Sequence, residues 1–387
     1  MKHLEATHWF GESRAAGEIP ELGMARRLRR LLDEVRPDIL QSGWLSDGGV
    51  LAALTGFKPL VMTPFGSDVL INPYRSPEHR WKASLSLRCV EGMTTDALEV
   101  AERISQLSAF PRDRIVRFPW GIDLARFQPG APPAALRGRR GWAGKTVLVA
   151  TRNLEPIYGT QFLVEALPLV RRVRPDVALL LVGDGSRRPF LEGLVADLGL
   201  GESVHFAGHI PNEDLPGYLT ASDLYVTAAL SDGTSRSLME AYACGLPAVV
   251  TDPPAYREWV EDGVHGAIVR KGDPGAMAEG ILRLLEDPLA RPRMREAVLA
   301  VARERFDEFR NVARLEGIYA EVLKGGPPPA LEPGGPLPPL DLASVRHAPY
   351  RYPSWKARLA EWLVIAALFG ETRAKRSPGW PRWLRWR

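Results

Sequence analysis

The stretch Ser231–Asp252, SDGTSRSLMEAYACGLPAVVTD, decides the fold. It follows an apolar, strand-like run, LYVTA (Leu224–Ala228), and opens in a short polar loop, Ser231–Thr234. A helix is predicted from Thr234 or Ser235 to Gly245, and a second strand, PAVVT (Pro247–Thr251), follows it. In open α/β sheets, ligands bind outside the carboxyl ends of the strands. The unpaired N–H groups at the start of this helix would face that crevice, an arrangement suited to a diphosphate. Asp232 in the loop and Glu240 two helical turns on are separated by about 9–12 Å along the axis. Carboxylates so far apart cannot share one metal ion, but they can touch two parts of one extended ligand.

Outward from this stretch the same alternation repeats. Short apolar runs at Asp38–Gln41, Leu60–Pro64, Ile115–Pro119, Thr146–Thr151, Ala178–Val182, Val204–Ala207 and Ala248–Thr251 are nearly continuous in Val, Ile and Leu. Such runs fit parallel strands covered on both faces. Amphipathic segments lie between them, including Met24–Arg36, Gly159–Arg172, Pro189–Leu198 and Pro274–Glu286. The alternation predicts an α/β protein with doubly wound, Rossmann-like sheets. One interruption, QPGAPPAALRGRRGWAG at residues 128–144, lacks periodicity and reads as a linker between two such units. The predicted organisation is therefore a first unit at 1–130, a linker at 131–144 and a second unit at 145–324. A Pro-rich connector at 325–353 and a basic, Trp-rich tail at 354–387 complete the chain.

A chain of 387 residues has room for two such units. Its 45% hydrophobic and 25% charged residues exclude a wholly disordered or fibrous protein. The net charge of +4 conceals an asymmetry: +5 over residues 1–145, −7 over 146–353 and +6 over 354–387. Two cysteines, Cys89 and Cys244, with no CxxC and no histidine cluster, argue against a disulfide framework or a structural zinc site. The first residues, MKHLEATHWFGES, contain no apolar leader, and the longest apolar run, Trp362–Phe369, is far shorter than a membrane span. A cytoplasmic protein is expected.

These stretches together, in order and spacing, resemble glycosyltransferase family 4, retaining nucleotide-sugar enzymes of the GT-B fold. The acid, seven residues, then Glu of Asp232–Glu240, continued by A-x-A-x-G-x-P-x-V-x-T-D, is similar to the family's signature. RNLEPIYG (Arg152–Gly159) resembles its R-L-x-x-x-K-G loop, and PFGSDV (Pro64–Val69) resembles its H-G-S-D-V. VALLLVGDG (Val177–Gly185), VHFAGHI (Val204–Ile210) and FPWGIDLARFQP (Phe118–Pro129) match further family segments. The resemblance implies roles residue by residue. Glu240 would hold the ribose hydroxyls, Asp232 the donor-sugar hydroxyls, and Arg152 the diphosphate. Gly233, Thr234, Ser235 and Arg236 would meet the sugar and phosphate. Gly183, Gly185, His209 and Ile210 would border the base pocket, and Tyr158 lies in the phosphate loop. Phe65, Gly66 and Ser67 fall on the acceptor side, and Asp68 joins Asp232 and Glu240 as a candidate catalytic carboxylate. No metal and no cofactor is expected, because no DxD follows a strand and the nucleotide sugar is itself the co-substrate.

Each role has a plainer counterpart. Glu240 and Arg236 are i,i+4 neighbours and can simply pair. Asp232 can serve as a helix cap, and Arg152 can form an ordinary ion pair. The sequence also departs from the family. Tyr158 stands where the phosphate lysine belongs, Phe65 stands for the histidine of H-G-S-D, and the usual first strand and Gly-rich loop are not evident in residues 1–20. The expected function is transfer of a sugar from a nucleotide-diphosphate donor to a glycan or lipid-linked acceptor in envelope glycan or glycolipid synthesis. The competing reading is a degenerate relative that binds nucleotide sugar or glycan without turnover. For the tail, five tryptophans among eight basic residues suit either an anionic membrane surface, with the protein peripheral at the inner face of the plasma membrane, or packing back on the protein. No nucleic-acid motif accompanies the charge.

Overall fold

In a computed structural model of the chain, residues 20–117, 119–131, 137–138 and 141–325 are described. The expected absence of a first strand before residue 20, most of the Pro-rich connector and the whole tail at 354–387 lie outside the described residues.

The first unit carries a four-stranded parallel sheet: β1 (Leu40–Gly43), β2 (Leu60–Thr63), β3 (Gly92–Thr95) and β4 (Ile115–Arg117). Its helices are α1 (Pro20–Val35), α2 (Val50–Thr55), α3 (Ser67–Leu70), α4 (Pro77–Arg88) and α5 (Leu98–Ser108). Strand order is β1-β2-β3-β4, so this sheet runs in one direction among the described residues, without the reversal of a doubly wound sheet. Side-chain alternation explains why it is covered on both faces. Leu60 and Met62 enter a core with Met93, Ile104 and Ile115, whereas Val61 points to the opposite layer with Val116.

The second unit has six parallel strands: β5 (Thr146–Thr151), β6 (Val177–Val182), β7 (Val204–Gly208), β8 (Leu224–Thr227), β9 (Ala248–Thr251) and β10 (Gly266–Val269). Between and after them lie α6 (Thr160–Val173), α7 (Arg188–Asp197), α8 (Leu215–Thr220), α9 (Arg236–Ala243), α10 (Pro254–Arg257), α11 (Pro274–Glu286) and α12 (Ala290–Arg305). Strand order β10-β9-β8-β5-β6-β7 is doubly wound, as the sequence predicts, with its switch point between β5 and β8. Along β5, Leu148 and Ala150 enter one core layer and Val147 and Val149 the other.

Two boundaries differ from expectation. The last helix among the described residues, α13 (Glu308–Leu323), lies within the predicted second unit but packs on the first sheet. Its Leu315, Ile318 and Val322 bury against Val61 and Val116, and Tyr319 donates a hydrogen bond to Gln41. The apolar face of β2 and β4 needs a cover, and the chain returns to supply it. Nor is the 131–144 segment wholly detached, because Trp142 is buried in the second core and Arg137 bonds to Asp223. Cys89 and Cys244 are free thiols. No helix among the described residues is long and apolar enough to cross a membrane.

Candidate active site

A cavity of about 540 Å³ opens between the two units at the switch point of the second sheet. Arg152, the residue after β5, and the Ser231–Thr234 loop beyond β8 converge there. Ser235 caps α9, its hydroxyl accepting from the Leu238 N–H. The Arg152 guanidinium is held from several sides. Nη2 donates to Asp232 Oδ2 at 2.6 Å, and Nη1 donates to Ser235 Oγ at 3.1 Å and Ser237 Oγ at 3.2 Å. Tyr256 OH donates to the same Asp232 oxygen at 3.0 Å, and Tyr225 OH shares a hydrogen bond with Ser237 Oγ at 2.8 Å. Arg152 Nε is buried and has no protein partner. Burial opposes the Arg152 charge, but the Asp232 carboxylate together with Tyr256, Tyr225 and Tyr158 more than offsets it, and the guanidinium is held protonated above its usual range.

Tyr158, which occupies the place of a lysine in the resemblance, lies under Arg152, with the guanidinium carbon 4.1 Å from the ring centroid. A second cation is thus replaced by an aromatic face that fixes the first one. Arg236 Nε donates to Glu240 Oε1 at 3.3 Å, so the plain i,i+4 pairing is realised. Arg236 remains more than half exposed while Glu240 is buried. Burial pushes the Glu240 carboxyl up, and Arg236 partly opposes this.

The first unit meets this site backbone to backbone. Gly66 (φ 148°) faces Gly233, where an added Cβ would lie 3.0 Å from the Gly233 nitrogen. Asp96, only 6% exposed and not singled out by the sequence, reaches across. Its Oδ2 accepts from Thr234 N–H at 3.3 Å, its carbonyl accepts from Thr234 Oγ1 at 2.5 Å, and its Oδ1 has no partner. Burial pushes the Asp96 carboxyl well above the usual range, and the Thr234 N–H opposes this. In the sequence, TTDALEV reads only as the start of a helix. The partner lies 138 residues away, which no local pattern reveals.

Of the acceptor-side candidates, Phe65 and Ser67 line the cavity, and Gly66 forms the contact with Gly233. Asp68 does not line the cavity beside Asp232. It is 1% exposed, and its oxygens accept from the backbone N–H groups of Leu45, Phe65 and Gly66 at 3.3, 3.1 and 2.9 Å. A short buried side chain satisfies backbone N–H groups of its own turn and of the Leu45 turn, and these take three of its about four acceptor positions. Gly183, Gly185, His209 and Ile210 sit beyond the ends of β6 and β7, apart from the cavity lining. Gly183 (φ 131°) is packed so closely that a Cβ would come 2.4 Å from the Arg152 carbonyl oxygen. Trp44, Trp120, Met239 and Ile157 also line the cavity and were not anticipated. Among the described residues no group of three or more His, Cys, Asp or Glu is placed to hold a metal ion.

Two facing α/β units with a cationic site at the switch point of the second are the architecture of GT-B enzymes. Residues 136–300 match the family described as glycosyl transferases group 1, and residues 4–101 match the family described as glycosyl transferase 4-like. A GDP-mannose-dependent alpha-(1-6)-phosphatidylinositol monomannoside mannosyltransferase of Mycolicibacterium smegmatis is 30% identical over 286 residues, 70% of this chain and 73% of that protein. A D-inositol 3-phosphate glycosyltransferase of an Arthrobacter species is 29% identical, covering 79% of this chain and 77% of its own length. Anabaena HepE, solved in complex with UDP-glucose, shares the fold with a TM-score of 0.69 at 23% identity, over 77% of this chain and 82% of its own. The chain belongs to the group 1 glycosyltransferases, and it is an enzyme that moves a sugar from a nucleotide-sugar donor to a glycan or glycolipid acceptor.

Proposed function

We propose that this enzyme is a metal-independent, retaining hexosyltransferase whose donor diphosphate is bound by Arg152 and the N-terminus of α9. The observation that carries the reading is the Arg152 guanidinium, on a side chain 13% exposed beside that helix end and held by Asp232, Ser235 and Ser237. A planar guanidinium and free backbone N–H groups both suit phosphate oxygens. In this reading Asp232 keeps Arg152 in place while its carboxylate reaches donor-sugar hydroxyls. Glu240 releases Arg236 and takes the ribose hydroxyls, and Arg236 turns to the phosphates. Gly183, Gly185, His209 and Ile210 border the base. The departing phosphate, neutralised by Arg152, accepts the proton of the attacking hydroxyl on the face it leaves, so no side chain is assigned as general base.

The names of the two relatives above make GDP-mannose the first donor to test and an inositol-containing glycolipid the first acceptor. The charge of +6 over residues 354–387 supports a peripheral position on an anionic membrane face. The test is transfer and hydrolysis with GDP-, UDP- and ADP-sugars in the presence and absence of EDTA. Turnover unchanged by EDTA and abolished by Arg152→Ala is expected. A chelator-sensitive reaction would overturn metal independence, and unchanged turnover in Glu240→Ala would overturn the ribose assignment. Binding without turnover for every donor would favour the degenerate reading that Tyr158 and Phe65 raise. For the membrane position, the full chain should sediment with anionic liposomes and a 1–353 truncation should not, so equal sedimentation refutes it.

A further inference from the structure

The first unit presents three aromatic rings to the cavity in a row. Trp44 and Phe65 have ring centroids 6.2 Å apart at 50°, and Phe65 and Trp120 have centroids 6.0 Å apart at 35°. All three line the cavity that also contains Arg152 and Asp232. The row is built, not incidental. A Cβ at Gly43 would lie 2.5 Å from Phe65 Cε2, so the glycine leaves room for the ring. Trp44 is 52% exposed and holds φ 50°, a left-handed conformation that a bulky residue rarely adopts. The buried Asp68 carboxylate ties the N–H of Leu45, next to Trp44, to those of Phe65 and Gly66, so one side chain sets two of the rings relative to each other.

We infer that Trp44, Phe65 and Trp120 form the acceptor subsite and that it takes a sugar or cyclitol ring by its C–H face. The inference rests on the transferase reading above and names what that site accepts. A pyranose carries apolar C–H groups on its face and hydroxyls at its edge. A wall of rings bordered by Ser67 and the donor-side Asp232 matches both, whereas an acyl chain would require an apolar groove without them. The Phe65 that replaces a histidine contributes a stacking surface here rather than a titratable group. Asp68 is then a positioning residue for the wall.

The test uses the full chain saturated with GDP or UDP, whichever stabilises it in a thermal shift, and titrates methyl α-D-mannopyranoside and myo-inositol while following tryptophan fluorescence. Saturable quenching is expected. Trp44→Ala should raise the dissociation constant about tenfold or more, with nucleotide affinity unchanged. Trp44→Phe, which keeps a ring, should restore most of the binding. Ring-ligand affinity that is unchanged in Trp44→Ala overturns the subsite, as does competition by decanol but not by either ring compound. Absence of any nucleotide shift in the parent chain would instead overturn the donor reading, which keeps the two failures distinct.

Discussion

Gly233→Ala is the sharpest perturbation of the seam between the units. A Cβ there would lie 2.1 Å from the Phe65 carbonyl oxygen and 3.2 Å from Asp96 Oδ1. Ordinary contact for such an atom begins near 3.4 Å, so the two loops must part by about 1.3 Å. Gly233 does not occupy the left-handed region, so the backbone itself tolerates alanine. In open space such a change stabilises, by about 0.4–1 kcal/mol through the unfolded chain. The effect is therefore steric and confined to the seam between the units. Arg152, Ser235 and Ser237 belong to the second unit and keep their geometry, so donor affinity should change little. The acceptor wall, carried by Phe65, retreats from the donor. A displacement near 1 Å can cost about a hundredfold in rate, and kcat should fall by about that factor. The assay is initial-rate kinetics with donor binding and melting temperature measured in parallel. Gly193→Ala, in α7 with nothing within 4 Å, is the control that should leave turnover alone. A Gly233→Ala enzyme that turns over within about threefold of the parent would refute the claim that this seam aligns the reactants.

Three further outcomes follow from the same geometry. The buried Arg117–Glu258 pair joins the units, with the Leu98 N–H also donating to Glu258 at 2.7 Å. Burial raises the Glu258 carboxyl to about 7, above its ordinary 4.5, with Arg117 opposing, so folded protein binds this proton more tightly and loses stability as pH rises between those values. Arg117→Met should destabilise by about 3–5 kcal/mol near pH 8, with a smaller deficit near pH 5.5, by urea unfolding at the two pH values. Tyr158→Lys should tighten donor binding about fivefold at low salt and less at high salt, by calorimetric titration. Asp68→Asn, which weakens three backbone contacts, should cost about 1–3 kcal/mol in denaturant unfolding.

Much of the second unit is legible in its sequence because its strands are continuous in Val, Leu and Ala and its loops carry motif glycines. TVLVAT and VALLLV cannot be buried on one face only, and the doubly wound sheet follows. The short strands GMTT and GAIV are not legible, since each begins with glycine and carries too little apolar length to signal itself. Strand register supplies what composition does not: Gly266 pairs with Ala248 so closely that a Cβ would meet its carbonyl oxygen at 1.8 Å. Arg152 and Asp232 are readable as partners of one ligand, but their 2.6 Å contact is not, because 80 residues separate them.

The sequence by itself determined the class of fold and the family, since these depend on periodicity and on motifs within a few residues of each other. Only the tertiary structure decided that Asp68 anchors loops, that Tyr158 lies under Arg152, and that Asp96 reaches Thr234 across the cavity. It likewise placed α13 on the first sheet and set three aromatic rings in one cavity with Arg152 and Asp232. The Asp68–Leu45, Asp96–Thr234 and α13 contacts join segments distant in the chain, and the Tyr158–Arg152 stack depends on how one loop turns; burial of apolar strand faces and pairing of buried polar groups create them, and residue order alone does not.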